Sequence, residues 1–174
     1  MILGAVLAGG LSTRFGSDKA LAELGGRSLL TLAVDGLAGF CEHVIVVGRE
    51  LAPAPTVPDW PRAGMGPLAG LAAALRYAQD EGFEAVLSCG VDAAALPDNL
   101  VDILSPAPAY LGSQPVIGIW PSNAASVLED LLHSDDRHSM MRFAELISAR
   151  RVDLAVSVPN INTPADLAAL TLRK

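Results

Sequence analysis

Five short apolar runs, Ile2–Leu7, Val44–Val47, Ala85–Ser88, Pro115–Trp120 and Val152–Val158, constrain the possible folds of this chain more than any other feature. Several are β-branched and apolar on successive residues rather than alternate ones, the pattern of strands covered on both faces. Helical patterns separate them. Ser28–Phe40 carries Leu29, Leu30, Leu32, Ala33 and Leu37 at helical spacing, and Leu68, Leu71 and Leu75 follow Pro67, a residue suited to a first helical position. Further helices are expected near Asp98–Leu104, Ala124–Leu132, Met140–Arg150 and Pro164–Leu172. Strand alternating with helix predicts an α/β fold of three layers around a mostly parallel sheet, with ligands at the carboxyl ends of the strands. Chemistry is therefore expected in the loops after Leu7, Val47 and Ser88.

The chain has 174 residues, enough for one full core, and residues 1–174 are read as a single domain. A formal net charge of −7 argues against nucleic acid or an anionic membrane as a general partner. No apolar run approaches the ~18–20 residues that span a bilayer, and no basic segment precedes Ile2–Leu7, so a cytoplasmic protein is expected. Cys41 and Cys89 lie far apart without metal-binding spacing and are expected to be reduced, buried thiols. His43, His133 and His138 likewise show no metal spacing and receive no catalytic role.

The first apolar run ends in Gly9 and Gly10, and the polar stretch after it carries Arg14, Asp18 and Lys19. Bare backbone lets a ligand approach successive amide N–H groups, which form an anion-binding concavity. Arg14 and Lys19 add positive charge, and the whole describes a polyphosphate cradle. Lys19 and Lys174 are the only lysines in the chain. The spacing excludes a P-loop, because Lys19 comes three residues after Gly16 and is followed by Ala20; the GxGxxG of dinucleotide binders is absent as well. An ordinary glycine-rich turn with two solvated cations is the competing reading.

The order LAGG, RFGSDKAL, GMGPLAGL, CGVD at a strand end, QP and finally NINTPADL resembles the molybdenum cofactor guanylyltransferases of the nucleotidyltransferase superfamily, over nearly the whole chain. The resemblance implies a single-domain, Rossmann-like nucleotidyltransferase that moves GMP from GTP to the terminal phosphate of molybdopterin with Mg²⁺. Other partners of such an enzyme would be cofactor-biosynthesis proteins or molybdoenzyme chaperones. The alternatives are a relative using CTP or another phosphorylated acceptor, and a carrier that binds GTP or the finished cofactor without turnover. A dinucleotide-dependent oxidoreductase lacks its fingerprint.

By this resemblance Leu7, Ala8, Gly9, Gly10 and Lys19 bind the nucleotide; Lys19 and Asp92, with Arg14 as a bidentate clamp on phosphate oxygens, are the catalytic group. Asp92, beyond the strand Ala85–Ser88, is expected to hold Mg²⁺, which takes one or two carboxylates and fills its octahedron with phosphate and water; the alternative is a helix cap, for which Asp98 after Pro97 is better placed. Asp59 is expected to accept from the N1–H and N2–H₂ edge of guanine, against a plain turn role beside Pro58. Gly64, Gly66, Pro67 and Gly70 resemble a loop running into a helix that faces an anion, with Gly66 at the nucleotide. Asn160 and Asn162 are expected near the metal or the pterin phosphate, unless Asn162 or Thr163 simply caps the last helix. Arg137 and Arg142 are expected at the second substrate, with solvated helix faces as the alternative. An ion pair to Asp18 is the alternative for Arg14. Two departures stand out: Ala93, Ala94 and Ala95 follow Asp92 where the family usually has Pro and an aromatic residue, and Val47 stands where some members have a nucleotide-binding Asn.

Overall fold

The computed structural model describes residues 1–10, 18–93 and 95–172. The strands are β1 (Ile2–Leu7), β2 (Glu23–Leu24), β3 (Arg27–Ser28), β4 (His43–Val47), β5 (Thr56–Val57), β6 (Ala85–Gly90), β7 (Ala109–Leu111), β8 (Gln114–Pro121) and β9 (Arg150–Val152). Among them run α1 (Leu29–Ala38), α2 (Pro67–Asp80), α3 (Leu100–Leu104), α4 (Ala125–His133), α5 (Met140–Leu146) and α6 (Pro164–Leu172). Seven strands make one sheet in the order β5-β4-β1-β6-β8-β7-β9, and β2 and β3 form a separate two-stranded ribbon.

The continuous apolar runs are buried on both sides, as their pattern requires. Leu3, Ala5 and Leu7 of β1 pack with α2, α4 and α5, while Val6 faces α1 and α3. β1 pairs in parallel with β4 up to Leu7↔Val47 and with β6 up to Leu7↔Gly90. These registers end the three central strands at one level. The direction then reverses, because β8 lies antiparallel to both β6 and β7, and β9 returns parallel to β7. At the reversal Trp120 is fully buried against Tyr110 and Phe143, and its indole N–H donates to Ser88 Oγ at 2.9 Å.

Local chemistry fixes most helix ends. Ser28 caps α1 by accepting from Thr31 N–H at 3.1 Å, and Pro67 occupies the first turn of α2 after Gly66. Three expectations need correction. α3 starts after Asn99 rather than at Asp98, with no side-chain cap bond there. The expected helix Met140–Arg150 stops at Leu146, because Ser148 takes φ 53° and Ala149 N–H reaches back to Ala144 carbonyl at 2.8 Å, closing a left-handed C-terminal turn. The expected strand Val152–Val158 is instead β9, ending at Val152. Its partner β7 ends at Leu111 and the chain turns at Gly112, so no strand edge remains for residues 153–158 to join. That coil still contributes Val158 and, farther on, Ile161 to buried clusters.

Both thiols lie outside the cleft described below. Cys89 is buried as expected, but Cys41 is only partly buried; burial pushes the Cys89 thiol up and, with Glu42 nearby, pushes Cys41 up to about 12. No helix of the described residues is long and apolar enough to cross a membrane.

Candidate active site

Because β1, β4 and β6 end level, the loops that follow them share one rim and enclose a cleft of about 470 Å³. Leu7, Ala8, Gly9 and Gly10 at the end of β1, Lys19 and Asp92, and Asp59 with Gly64, Gly66, Pro67 and Gly70 all line it. The sequence expectations at these positions are thus brought together in one hollow. Ala8 N–H is tied to Val47 carbonyl at 2.9 Å, which holds the bend after β1 against the end of β4.

Gly48 makes that contact possible. It takes φ +87°, and a Cβ there would stand 2.5 Å from Gly9 Cα and 2.7 Å from Gly9 N, closer than real side chains come. The same crowding explains the seat of Asp59. A Cβ on Gly9 would meet Asp59 Oδ2 at 2.6 Å, one on Gly48 would meet Oδ1 at 3.1 Å, and one on Gly70 would meet Oδ1 at 3.5 Å. Glycines from the loops after β1 and β4 and from the first turns of α2 therefore leave room for a single carboxylate. Burial raises the Asp59 carboxyl above its ordinary value, a cost that a ligand offering paired N–H donors would offset.

Lys19 opens a 3₁₀ turn, Lys19–Leu21, whose N-cap is Asp18. Its Nζ lies 3.7 Å from Asp92 Oδ2, with side-chain exposures of 16% and 26%, so both ends are accessible from the cleft yet partly shielded from water. Asp18 is itself forked by Arg49, whose Nη1 and Nη2 donate to its two carboxylate oxygens at 3.0 and 2.7 Å. These bonds hold the Asp18 carboxyl below its ordinary range. Arg49 is a cleft residue that the sequence reading missed; a lone Arg after a strand-end glycine carries no motif. Arg14 lies outside the described residues.

Asp92 follows β6 by two residues. Its main-chain carbonyl accepts from Ile161 N–H at 2.9 Å, and Ala93 forms a bridge with Asn160. The segment holding Asn160 and Asn162 is thereby fastened beside Asp92, although neither Asn lines the cleft. Helix capping there belongs to Thr163, whose Oγ1 accepts from Asp166 N–H, while Asp166 Oδ2 accepts from the N–H groups of Asn162 and Thr163 at 3.0 Å each. These bonds, with Lys19 adding to them, keep the Asp166 carboxyl low. Arg137 and Arg142 are not brought to the cleft. Arg142 pairs with Asp136 at 2.7 Å and Glu145 at 3.2 Å, and Arg137 approaches Glu145 at 3.9 Å, on an exposed face beside α5. Val47 is fully buried, so its side chain cannot serve a nucleotide.

The donor set discriminates between kinds of metal. Among the described residues no cluster of three or more His, Cys, Asp or Glu could cage an ion. A single carboxylate at the rim suits a hard cation that arrives with phosphate and water as its other ligands, which is how magnesium is commonly held. Asp92 fits that requirement.

Comparison with known proteins agrees with this geometry. The family model described as MobA-like NTP transferase domain matches residues 4–153. A molybdenum cofactor guanylyltransferase from Rhizobium johnstonii is 36% identical over 95% of this chain and 90% of its own length. One from Acidiphilium cryptum is 36% identical over 94% of this chain and 91% of its own. The crystal structure of molybdopterin-guanine dinucleotide biosynthesis protein A from Archaeoglobus fulgidus superposes with a TM-score of 0.77, covering 99% of this chain and 98% of that one at 20% identity, a likeness of fold. With the family match spanning most of the chain and these relatives aligned over more than nine-tenths of it, the protein belongs to the MobA-like NTP transferase family, a nucleotidyltransferase enzyme.

Proposed function

We propose that the protein transfers GMP from GTP to the terminal phosphate of molybdopterin, giving molybdopterin guanine dinucleotide and pyrophosphate, in the cytoplasm. One observation carries this reading: a glycine bend, a lysine, a rim carboxylate and a glycine-seated carboxylate line one cleft. The relatives' names supply the substrates.

A phosphate oxygen of molybdopterin attacks the α-phosphorus of GTP as the bond to the β-phosphate breaks, and pyrophosphate leaves. The nucleophile is already ionised, so the protein's task is to position and to neutralise charge. The bend at Gly9 and Gly10 offers main-chain donors to the phosphates, and Lys19 follows the charge as it moves to the leaving group. Asp59 accepts from N1–H and N2–H₂ of guanine; adenine and cytosine lack that donor pair, so the carboxylate selects GTP. Asp92 would hold Mg²⁺, which when bound supplies charge neutralisation on the phosphates. Arg14, by the bidentate geometry of its guanidinium, clamps phosphate oxygens, and Asn160 and Asn162, on the segment fastened beside Asp92, would approach the metal or the pterin phosphate. Other cofactor-biosynthesis proteins or molybdoenzyme chaperones would deliver and receive the cofactor.

The test is direct. Purified protein with Mg²⁺, molybdopterin and each of the four nucleoside triphosphates should release pyrophosphate with GTP alone. Equal release with CTP, or none with any nucleotide, would overturn the reading.

A further inference from the structure

Arg49 has no role in the mechanism above, yet its environment is unusual for a loop arginine. It follows Gly48 at the end of β4, and its side chain is only 20% exposed. Both terminal nitrogens go to Asp18, at 3.0 and 2.7 Å, the two-pronged arrangement that fixes orientation as well as distance. Its Nε is buried and has no hydrogen-bond partner among the described residues. Asp18 in turn receives Ala20 N–H at 3.3 Å, so the carboxylate gripped by Arg49 is also the cap of the 3₁₀ turn that carries Lys19. Lys19 then reaches Asp92. Arg49, Asp18, Lys19 and Asp92 thus alternate in sign across the rim, drawn from the loops after three different strands.

We propose that Arg49 is a positioning residue for the nucleotide site: its fork on Asp18 fixes the 3₁₀ turn and so holds Lys19 beside Asp92, without Arg49 itself gripping the transferred phosphate. This rests on the reading that Lys19 serves the triphosphate. The physical need is clear. A lysine has a long flexible stem that loses much rotamer freedom when ordered, and a single 3₁₀ turn supplies little rigidity of its own. A rigid guanidinium anchored at the end of a buried strand supplies the missing constraint. Exposed single-contact ion pairs hold little in place; here Asp18 is 43% exposed, and the constraint comes from the two-pronged geometry and from an Arg49 side chain that is only 20% exposed.

The scarcity of lysines makes the proposal measurable without nucleotide. Reductive methylation with ¹³C-formaldehyde keeps the charge and labels Lys19, Lys174 and the α-amine, three resonances separable by mutation. In ligand-free protein, both Arg49→Met and Asp18→Asn should move the Lys19 resonance towards that of Lys174; a Lys19 resonance unmoved in both variants overturns the proposal. Thermal unfolding of each variant identifies any that fails to fold, and the other then decides. In a second arm, Arg49→Met should weaken GTP binding about tenfold or more in the wild-type background. In a Lys19→Met background it should weaken binding less than about twofold, because the residue it positions is gone. Losses that multiply would mean that Arg49 grips phosphate directly, and would overturn the proposal. If the wild-type protein takes up no GTP, the proposed function fails, and the resonance of Lys19 still decides whether Arg49 positions it.

Discussion

Replacing Gly48 with Ala tests how the bend after β1 is held. Two costs add. Gly48 has φ +87°, a left-handed conformation that costs an L-residue roughly 1–2 kcal/mol. The new Cβ would also stand 2.5 Å from Gly9 Cα and 2.7 Å from Gly9 N; both are main-chain atoms that no rotamer change can remove. Overpacking of this kind costs about 1–3 kcal/mol. The expected destabilisation is therefore about 2–5 kcal/mol. Gly64→Ala is the internal control, since Gly64 has φ +83° with nothing within 4 Å of its Cβ position, and should cost only the conformational part, about 1–2 kcal/mol. Urea unfolding followed by tryptophan fluorescence gives both values, with fully buried Trp120 as a reporter of the core. The displaced atoms belong to the nucleotide wall, so the GTP dissociation constant of Gly48→Ala should rise ~10-fold to ~100-fold. Equal costs for the two variants, within about 0.5 kcal/mol, would refute the claim that Gly48 and Gly9 are in obligatory contact.

Other outcomes follow from the same geometry. Asp59→Asn should abolish the preference for GTP over ATP in competition assays. Because burial raises the folded-state pKa of Asp59, its contribution to stability is complete below the unfolded carboxylate value and is lost as pH rises through the raised one. Asp59→Asn should therefore increase the urea midpoint near pH 8 and give no gain near pH 3, and a loss near pH 8 would contradict this. Asp92→Asn should fold normally and lose ~10²–10³ in pyrophosphate release; turnover within tenfold of wild type would remove Asp92 from the reaction. Ser88→Ala strands both the Trp120 indole N–H and the Val116 carbonyl, which Ser88 Oγ contacts at 2.9 and 2.6 Å, and should cost about 2–4 kcal/mol in denaturant unfolding.

Period and burial made β1, β4, β6, α1 and α2 legible, because strands covered on both faces and amphipathic helices write their environment into successive residues. Strand direction is written nowhere. Pro115–Trp120 looks the same whether it runs parallel or antiparallel, and only the short β7 and the turn at Gly112 settle the matter. The extent of β9 was likewise hidden, since it depends on where its partner stops. In the cleft, Gly9, Gly10, Lys19, Asp59, Gly66 and Asp92 were found through motif order. Arg49 was not, because its role arises from a contact with Asp18 that spans 31 positions and exists only once the β4 and Lys19 loops meet. Arg137 and Arg142 lie away from the cleft for a complementary reason: charge alone does not tell a cleft-facing arginine from one paired with Asp136 and Glu145.

The reversal of strand direction between β6 and β8 divides the rim into two independently adjustable halves. Up to β6 the rim is made of crossover loops fixed at both ends by buried parallel strands. Past β6 the sheet continues through antiparallel β8, which brings Val116 to the cleft, and β7, joined to it by a short turn at Gly112 whose length can change at small entropic cost. Such a scaffold can be refitted for a different acceptor on one side while the nucleotide side stays as it is.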